Sequence, residues 1–261
     1  MLEAAALSLL ILGDSLSTDL PHLVAGGGTP YSVVVAERSD GATTNAAVYA
    51  TTSRQWNPET GLSYYANRAK PAMPVDWVII LLGSNDASGF GQAAPTPPEE
   101  YVANIEALAL TALEDGAGRV LLGIPPHDQY GRAETAAHLA AYREELLNLC
   151  DEIPAIDCGP DYTEVLSAEA GHYSFEEWGG FIHPNESGHL AMAEAVWTLV
   201  PEPDAFALHA AALLVLIFHR ALHTVAPTGA LRPGTGSARA PWRDERSAQA
   251  KAFSTTSRAQ T

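Results

Sequence analysis

The stretch from Leu7 to Ser17 constrains the fold of this chain more than any other. It runs through uncharged residues, mostly Leu and Ile, into Gly13-Asp14-Ser15. Such a run is typical of a buried parallel strand that breaks at its carboxyl end into a turn and then a helix. Ligands of open parallel sheets bind at that edge, where the amides of a helix start favour negative charge, so Ser15 is a candidate nucleophile. The alternative is that Asp14 and Ser15 only cap a helix. Catalytic partners elsewhere in the chain are needed to distinguish a nucleophile from a cap.

Further apolar runs alternate with segments of helical spacing along the first 200 residues. The other predicted strands are Tyr31 to Ala36, Val75 to Leu82, Arg119 to Ile124 and Ile153 to Cys158. Helices are predicted from Ser15 to Val24, from Pro97 to near Gly116, from Ala133 to Cys150 and from Glu186 to Leu199, with a long loop from Trp56 to Pro74. This alternation predicts an α/β fold, a three-layer sandwich with a five-stranded parallel sheet between helices.

The charge of the chain changes sign near residue 204. Residues 1–204 hold 7 Lys and Arg against 29 Asp and Glu, a net charge of −22, whereas residues 205–261 hold 7 against 2, a net charge of +5. We therefore predict one domain over residues 1–204, followed over residues 205–261 by a helix and then a disordered tail. So acidic a domain repels phosphate backbones, which argues against nucleic acid as a partner.

The apolar segments also bear on membranes and location. The longest run, from Ala205 to Phe218, spans 14 residues and is shorter than the roughly 20 that cross a bilayer, so no stable membrane insertion is expected. The first apolar run follows Glu3 rather than a basic residue, so no secretory signal is visible in it. The expected location is cytoplasmic by default, or secreted if the start of the chain is processed.

The motifs that the chain lacks exclude several enzyme classes. There is no Gly-x-Ser-x-Gly elbow, His-Glu-x-x-His pair, Gly-x-Gly-x-x-Gly turn or Walker loop. Cys150 and Cys158 lack metal-ligand spacing and are either free thiols or one bridge. No cofactor and no metal are therefore expected.

Three residues follow the predicted first, second and third strands, namely Ser15, Gly41 and Asn85. In a doubly wound sheet of order 2-1-3-4-5, the ligand crevice lies between strands one and three, so Ser15 and Asn85 face each other across it. A serine that attacks an ester needs donors for the developing oxyanion. The backbone amide of Gly41 and the side-chain amide of Asn85 can supply them.

The nucleophile also needs a base, and histidine suits that role near neutral pH. Among the nine histidines, His183 is the candidate because it precedes a predicted helix, with Pro184 presetting the turn and Asn185 available as the cap. His127, beside Pro126, is expected to line a pocket.

These motifs resemble those of the SGNH (GDSL) hydrolases. Gly13 to Ser17 is similar to the first block of that family, Gly41 to the second, Gly83 to Asp86 to the third and His183-Pro184 to the fifth, in family order within residues 7–200. The resemblance implies a flavodoxin-like SGNH hydrolase fold. It also implies that Ser15 is the nucleophile, that His183 is the base, and that Ser15 N–H, Gly41 N–H and Asn85 Nδ2 form the oxyanion hole.

The chain departs from the family at the third catalytic position. The family usually has Asp three residues before the histidine, where this chain has Gly180. Either Glu176 or Glu177 supplies the acid, or the backbone carbonyl of Gly180 orients the imidazole in a Ser-His dyad. The carbonyl is slightly favoured because it needs no extra loop excursion.

The predicted function is that of a serine esterase that hydrolyses carboxylic esters through an acyl-enzyme intermediate. Its partner is a small-molecule ester, and the oligomeric state is left open. Short acyl or aryl esters are favoured because the loops expected to shape the pocket, Trp56 to Tyr65, Gly89 to Pro98 and His127 to Gly131, hold aromatics and few cations. The alternatives are a non-catalytic carbohydrate- or ligand-binding module on the same fold, or a deacetylase acting on acylated sugars.

Overall fold

The computed structural model describes residues 7–39, 42–60, 63–128, 131–166, 171–173 and 183–201. The strands in these residues form one five-stranded parallel sheet in the order β2-β1-β3-β4-β5. They are β1 (Leu9–Gly13), β2 (Thr43–Asn45), β3 (Trp77–Leu81), β4 (Arg119–Ile124) and β5 (Ile156–Asp161). The sheet order expected from the sequence is confirmed, as is the parallel α/β architecture.

Helices connect these strands and cover the sheet. The α-helices of the described residues are α1 (Tyr31–Arg38), α2 (Ser53–Trp56), α3 (Ser84–Ser88), α4 (Pro98–Glu114), α5 (Ala133–Glu152), α6 (Tyr162–Val165) and α7 (Glu186–Trp197). Pro21–Leu23 and Lys70–Ala72 form single 3₁₀ turns, and Tyr65–Ala69 forms a π-helical turn. Within the part of the chain that the structure describes, no helix is long and apolar enough to cross a membrane.

The central strands bury side chains on both faces, which separates the core into two layers. Leu10 and Leu12 of β1 belong to one cluster, which contains the inner faces of α4 and α5. Leu9 and Ile11 belong to the other cluster, which contains the inner faces of α1 and α7. Because successive side chains of a strand point to opposite faces, the uninterrupted apolar run of β1 matches a strand between two helical layers.

The prediction of the second strand was wrong. Tyr31 to Ala36 belongs to helix α1, because Tyr31 and Val35, four residues apart, are both fully buried in the α1 and α7 layer. This packing overrides the strand preference of its β-branched valines. The actual strand, β2, is a polar segment of three partly buried or exposed residues, and among the described strands it pairs with β1 alone.

Three other predictions also differ from the structure. The fifth strand, expected from Ile153 to Cys158, is β5 at Ile156–Asp161. The segment after Ser15 forms a turn and the 3₁₀ turn at Pro21–Leu23 rather than a helix to Val24. The region expected to be a long loop starts with Trp56 buried in the core, where its indole N–H donates to Thr51 Oγ1 at 2.9 Å. The side chain of Trp56 therefore packs in the interior instead of shaping a pocket.

Cys150 and Cys158 form a disulfide bond with a Cα–Cα distance of 5.7 Å. It joins the last turns of α5 to β5. The alternative left open by the sequence is thus resolved in favour of one bridge. Residues 202–261 lie outside the described residues, so the domain boundary predicted at residue 204 stays a prediction.

Candidate active site

Ser15 lies in the turn that follows the carboxyl end of β1. Gly13 makes this turn possible, because a Cβ at that position would lie 2.4 Å from Ser17 Oγ and 2.6 Å from the Leu81 carbonyl oxygen. Ser17 N–H donates to the Asp14 carbonyl at 3.1 Å, and Thr18 Oγ1 donates to the Ser15 carbonyl at 3.1 Å. The turn therefore has a defined shape and leaves the Ser15 side chain only partly buried.

The structure brings Ser15 and His183 together. His183 Nε2 lies 2.9 Å from Ser15 Oγ, across 168 positions of sequence. Burial lowers the pKa of the His183 imidazole below its ordinary value of 6.5, so the ring is neutral near pH 7. A neutral imidazole nitrogen at this distance can accept the hydroxyl proton.

The segment that carries His183 is held on both sides. Asn185 caps α7 as predicted, because its side-chain oxygen accepts from Gly188 N–H at 3.1 Å. The Pro184 carbonyl accepts from Ala25 N–H at 3.0 Å, and Asn185 N–H donates to the His172 carbonyl at 2.9 Å. These bonds fix the backbone that follows His183 and so position its imidazole near the end of β1.

Asn85 lies across the β1 and β3 crevice from Ser15, at the start of α3. Gly83, with a φ of 126°, turns the chain from β3 into this helix. Asn85 Nδ2 donates to the Thr51 carbonyl at 2.8 Å and lies 3.4 Å from Asp14 Oδ2. The first bond sets the orientation of the amide. The second is long enough to be weak, which leaves one N–H open to a better acceptor.

The expectation for Gly41 depended on its following the second strand, and β2 instead begins after it, at Thr43. Gly41 itself lies outside the described residues. Its neighbour Ala42 accepts from Leu9 N–H at the amino end of β1, whereas Ser15 follows the carboxyl end. The position of β2 therefore gives no support for Gly41 as an oxyanion donor.

The loop after β2 reaches the end of β1 and contains a strained residue. Val48 N–H donates to the Gly13 carbonyl at 3.0 Å, and two residues later Ala50 has a φ of 61°, a left-handed conformation unfavourable for alanine. Ala50 N–H has no hydrogen-bond partner among the described residues. Such strain tends to occur at functional sites. An alanine carries no sequence signal for this conformation, so Ala50 was missed.

Two buried carboxyl groups, those of Asp14 and Asp86, adjoin the candidate active site. Burial, together with the nearby Asp86 carboxylate, raises the pKa of Asp14 to about 7. Burial also raises the pKa of Asp86, whose carboxylate accepts from Ser53 Oγ at 2.6 Å and from Thr96 Oγ1 at 3.0 Å. Asp86 thus ties the start of α2 and the loop before α4 to α3, a structural role that a Gly-x-Asn-Asp motif does not reveal by itself.

A cavity of about 90 Å³ adjoins Asn85. Phe90 and His127 are among its lining residues, so the expectation that His127 lines a pocket is confirmed. Of the loops expected to shape a pocket, those near Gly89 and His127 therefore contribute. The candidates for the third catalytic position, Glu176, Glu177 and Gly180, lie outside the described residues.

Comparison with known proteins adds independent evidence. The model of the GDSL-like Lipase/Acylhydrolase family matches residues 11–191, which include Ser15, Asn85 and His183. No curated protein matches the chain.

Similar solved structures share the fold at low sequence identity. Axe2, an acetylxylan esterase from Geobacillus stearothermophilus, is 18% identical with a TM-score of 0.56, over 74% of this chain and 94% of that one. A lipolytic protein of the G-D-S-L family from Desulfitobacterium hafniense is 19% identical with a TM-score of 0.57, over 74% of this chain and 99% of that one. A member of the same lipolytic family from Veillonella parvula is 17% identical with a TM-score of 0.55, over 74% and 98%.

Proposed function

The chain belongs to the GDSL-like lipase and acylhydrolase family of carboxylic ester hydrolases, and we propose that it works through a covalent acyl-enzyme on Ser15. The observation that carries this proposal is the 2.9 Å distance between Ser15 Oγ and His183 Nε2. A hydroxyl with a neutral imidazole in reach is an activated nucleophile.

In the first half-reaction, Ser15 Oγ attacks the ester carbonyl carbon while its proton passes to His183 Nε2. The tetrahedral intermediate then breaks its bond to the alcohol oxygen, and His183 returns the proton to that oxygen. In the second half-reaction, His183 deprotonates a water molecule that attacks the acyl carbon. The acid is released and the Ser15 hydroxyl is restored.

The developing oxyanion requires donors beside Ser15. We assign the weakly held N–H of Asn85 Nδ2 to this role, together with the backbone N–H of Ser15. In place of Gly41 we assign the N–H of Ala50, since it belongs to the loop whose Thr51 carbonyl orients the Asn85 amide. The left-handed backbone of Ala50 supports this assignment, as does its N–H, which has no partner in the part of the chain that the structure describes.

Two alternatives are proposed for the third catalytic position. Either the carboxylate of Glu176 or Glu177 orients the His183 imidazole, or the Gly180 carbonyl orients it in a Ser-His dyad. Glu176→Gln and Glu177→Gln separate them. In the dyad each variant keeps most of the turnover, whereas a collapse in one variant assigns the acid to that residue.

The proposed substrates are uncharged esters with a short acyl group or an aryl alcohol, because the net charge of −22 over residues 1–204 disfavours anionic substrates. Acetyl esters of sugars fall within this class and belong in the same assays.

Labelling and turnover test the nucleophile together. A fluorophosphonate should label the protein at Ser15, and Ser15→Ala should abolish both the label and the hydrolysis of p-nitrophenyl acetate. Ser8→Ala is the matched control, because Ser8 precedes the same strand at its other end, where its hydroxyl donates to Asp76. Retained labelling in Ser15→Ala, or its loss in Ser8→Ala, would contradict the proposal.

A further inference from the structure

The cavity beside Asn85 has an open side and a deep side. Phe90, which is 58% exposed, lines it at the surface, whereas Leu139 and Thr135 of α5 are each only 7% exposed. Leu139 also belongs to the core cluster formed with α4. The buried side chains of α5 therefore close the inner end of the cavity.

His183 and this cavity lie in different layers of the molecule. His183 lies three residues before α7, which packs with α1 on the face of β1 that carries Leu9 and Ile11. Leu139 packs on the opposite face, with Leu10 and Leu12. Ser15, at the end of β1, lies at the boundary between the two layers.

This arrangement orients an ester on Ser15. In the proposed function, His183 gives its proton to the departing alcohol, so the alcohol has to lie on the side of His183. The acyl group then extends to the other side, where Asn85 and the cavity lie. We infer that the cavity binds the acyl group and that Leu139 limits its length. This inference rests on the proposed function.

The size and chemistry of the cavity indicate a short chain. Its volume of about 90 Å³ is smaller than the roughly 150 Å³ of an engineered apolar cavity that binds benzene, which leaves room for acyl groups of about two to four carbons. Its lining is mixed, since Ser88, Thr135 and Arg132 contribute beside Phe90 and Leu139. A long alkyl chain would leave such polar groups without solvent, whereas a short chain would not.

Leu139→Ala tests the inference with p-nitrophenyl esters from acetate to octanoate. The wild type should have a higher kcat/KM for butyrate than for hexanoate, because the cavity has room for about four acyl carbons. Each methylene that gains a buried place improves kcat/KM about fourfold. The shorter side chain frees space for two or more methylenes, so the ratio of kcat/KM for hexanoate to that for acetate should rise about tenfold or more.

Leu146→Ala is the matched control. Leu146 lies on the same helix, seven residues along, is buried in the same cluster and does not line the cavity. It should lose similar stability without a change in chain-length preference. Thr135→Leu serves as the opposite change, and by filling the cavity it should lower kcat/KM for butyrate relative to acetate.

A second series, acetates of different alcohols, distinguishes the two ends of the ester. Leu139→Ala should leave this series unchanged, and a changed alcohol preference would place the alcohol in the cavity and overturn the inference. The inference is also overturned if the dependence of kcat/KM on acyl length changes in neither Leu139→Ala nor Thr135→Leu. An equal change of that dependence in Leu146→Ala would overturn it as well. If the wild type hydrolyses no ester, the proposed function itself fails, which is a different result.

Discussion

Asp14 is a buried carboxyl group next to Ser15, and replacing it by asparagine tests the electrostatics of the site. Its side chain is 1% exposed. Burial, together with the Asp86 carboxylate, raises its pKa to about 7. One carboxyl oxygen accepts from Leu16 N–H at 3.0 Å, and an asparagine side chain keeps an acceptor for that bond. Asp14→Asn therefore removes the titration with little change of shape.

The sign of the effect follows from the direction of the shift. The pKa of Asp14 is higher in the folded protein than its ordinary value of 3.8, so protonation favours folding. This contribution is complete below about pH 4 and is lost as the pH rises to about 7, through the folded pKa. The gap between 3.8 and about 7 corresponds to about 4 kcal/mol. The free energy of unfolding of the wild type should fall by up to about that amount, relative to Asp14→Asn, between pH 4 and pH 7.

Urea unfolding at a series of pH values from 4 to 8, followed by tryptophan fluorescence, measures this difference. Asp19→Asn is the control, because it removes the same charge from an exposed position of the same segment. Its curve should run parallel to that of the wild type. If the curve of Asp14→Asn is also parallel to the wild type, Asp14 does not retain its proton in the folded state and the reasoning is refuted.

Three further predictions concern the site and its frame. Because burial lowers the pKa of His183, the acid limb of kcat/KM for p-nitrophenyl acetate should have its midpoint below pH 6.5, and a midpoint above that value would contradict a buried base. Asn85→Ala should lower kcat by about 10²–10³ with near-normal stability in urea unfolding, and full turnover would remove Asn85 from the oxyanion hole. Cys150→Ser combined with Cys158→Ser should lower the free energy of unfolding by about 2–3 kcal/mol, since the bridge closes a short loop. An unchanged urea midpoint would show that the bridge adds no stability.

The strands that could be located from the sequence are those that are buried on both faces. β1, β3 and β4 are buried on both faces, so each appears as an apolar run that ends where its strand ends. β2 has no such signal, because Thr43–Asn45 is short and partly exposed, and the valines of α1 imitate a strand. A short edge strand of this kind is defined by its hydrogen bonds to the neighbouring strand and not by a hydrophobic pattern in the sequence.

The candidate site was likewise predictable only in part, for its side chains but not for its backbone groups. Ser15 and Asn85 were expected to face each other because each follows a strand of the sheet, and His183 was the candidate base because it precedes a helix. The structure places Nε2 of His183 2.9 Å from Oγ of Ser15. The backbone groups could not be predicted. The Thr51 carbonyl that orients Asn85 and the left-handed Ala50 both result from how the loop after β2 folds over β1, and neither depends on a diagnostic side chain.

The two outer strands of the sheet have a consequence for self-association. Among the described residues, β2 has only three positions that another chain could pair with, too few for a durable ladder. At the other end, β5 contains Pro160, which has no N–H to donate and interrupts any added strand. The described edge strands therefore offer a poor surface for sheet-to-sheet association between molecules of this protein.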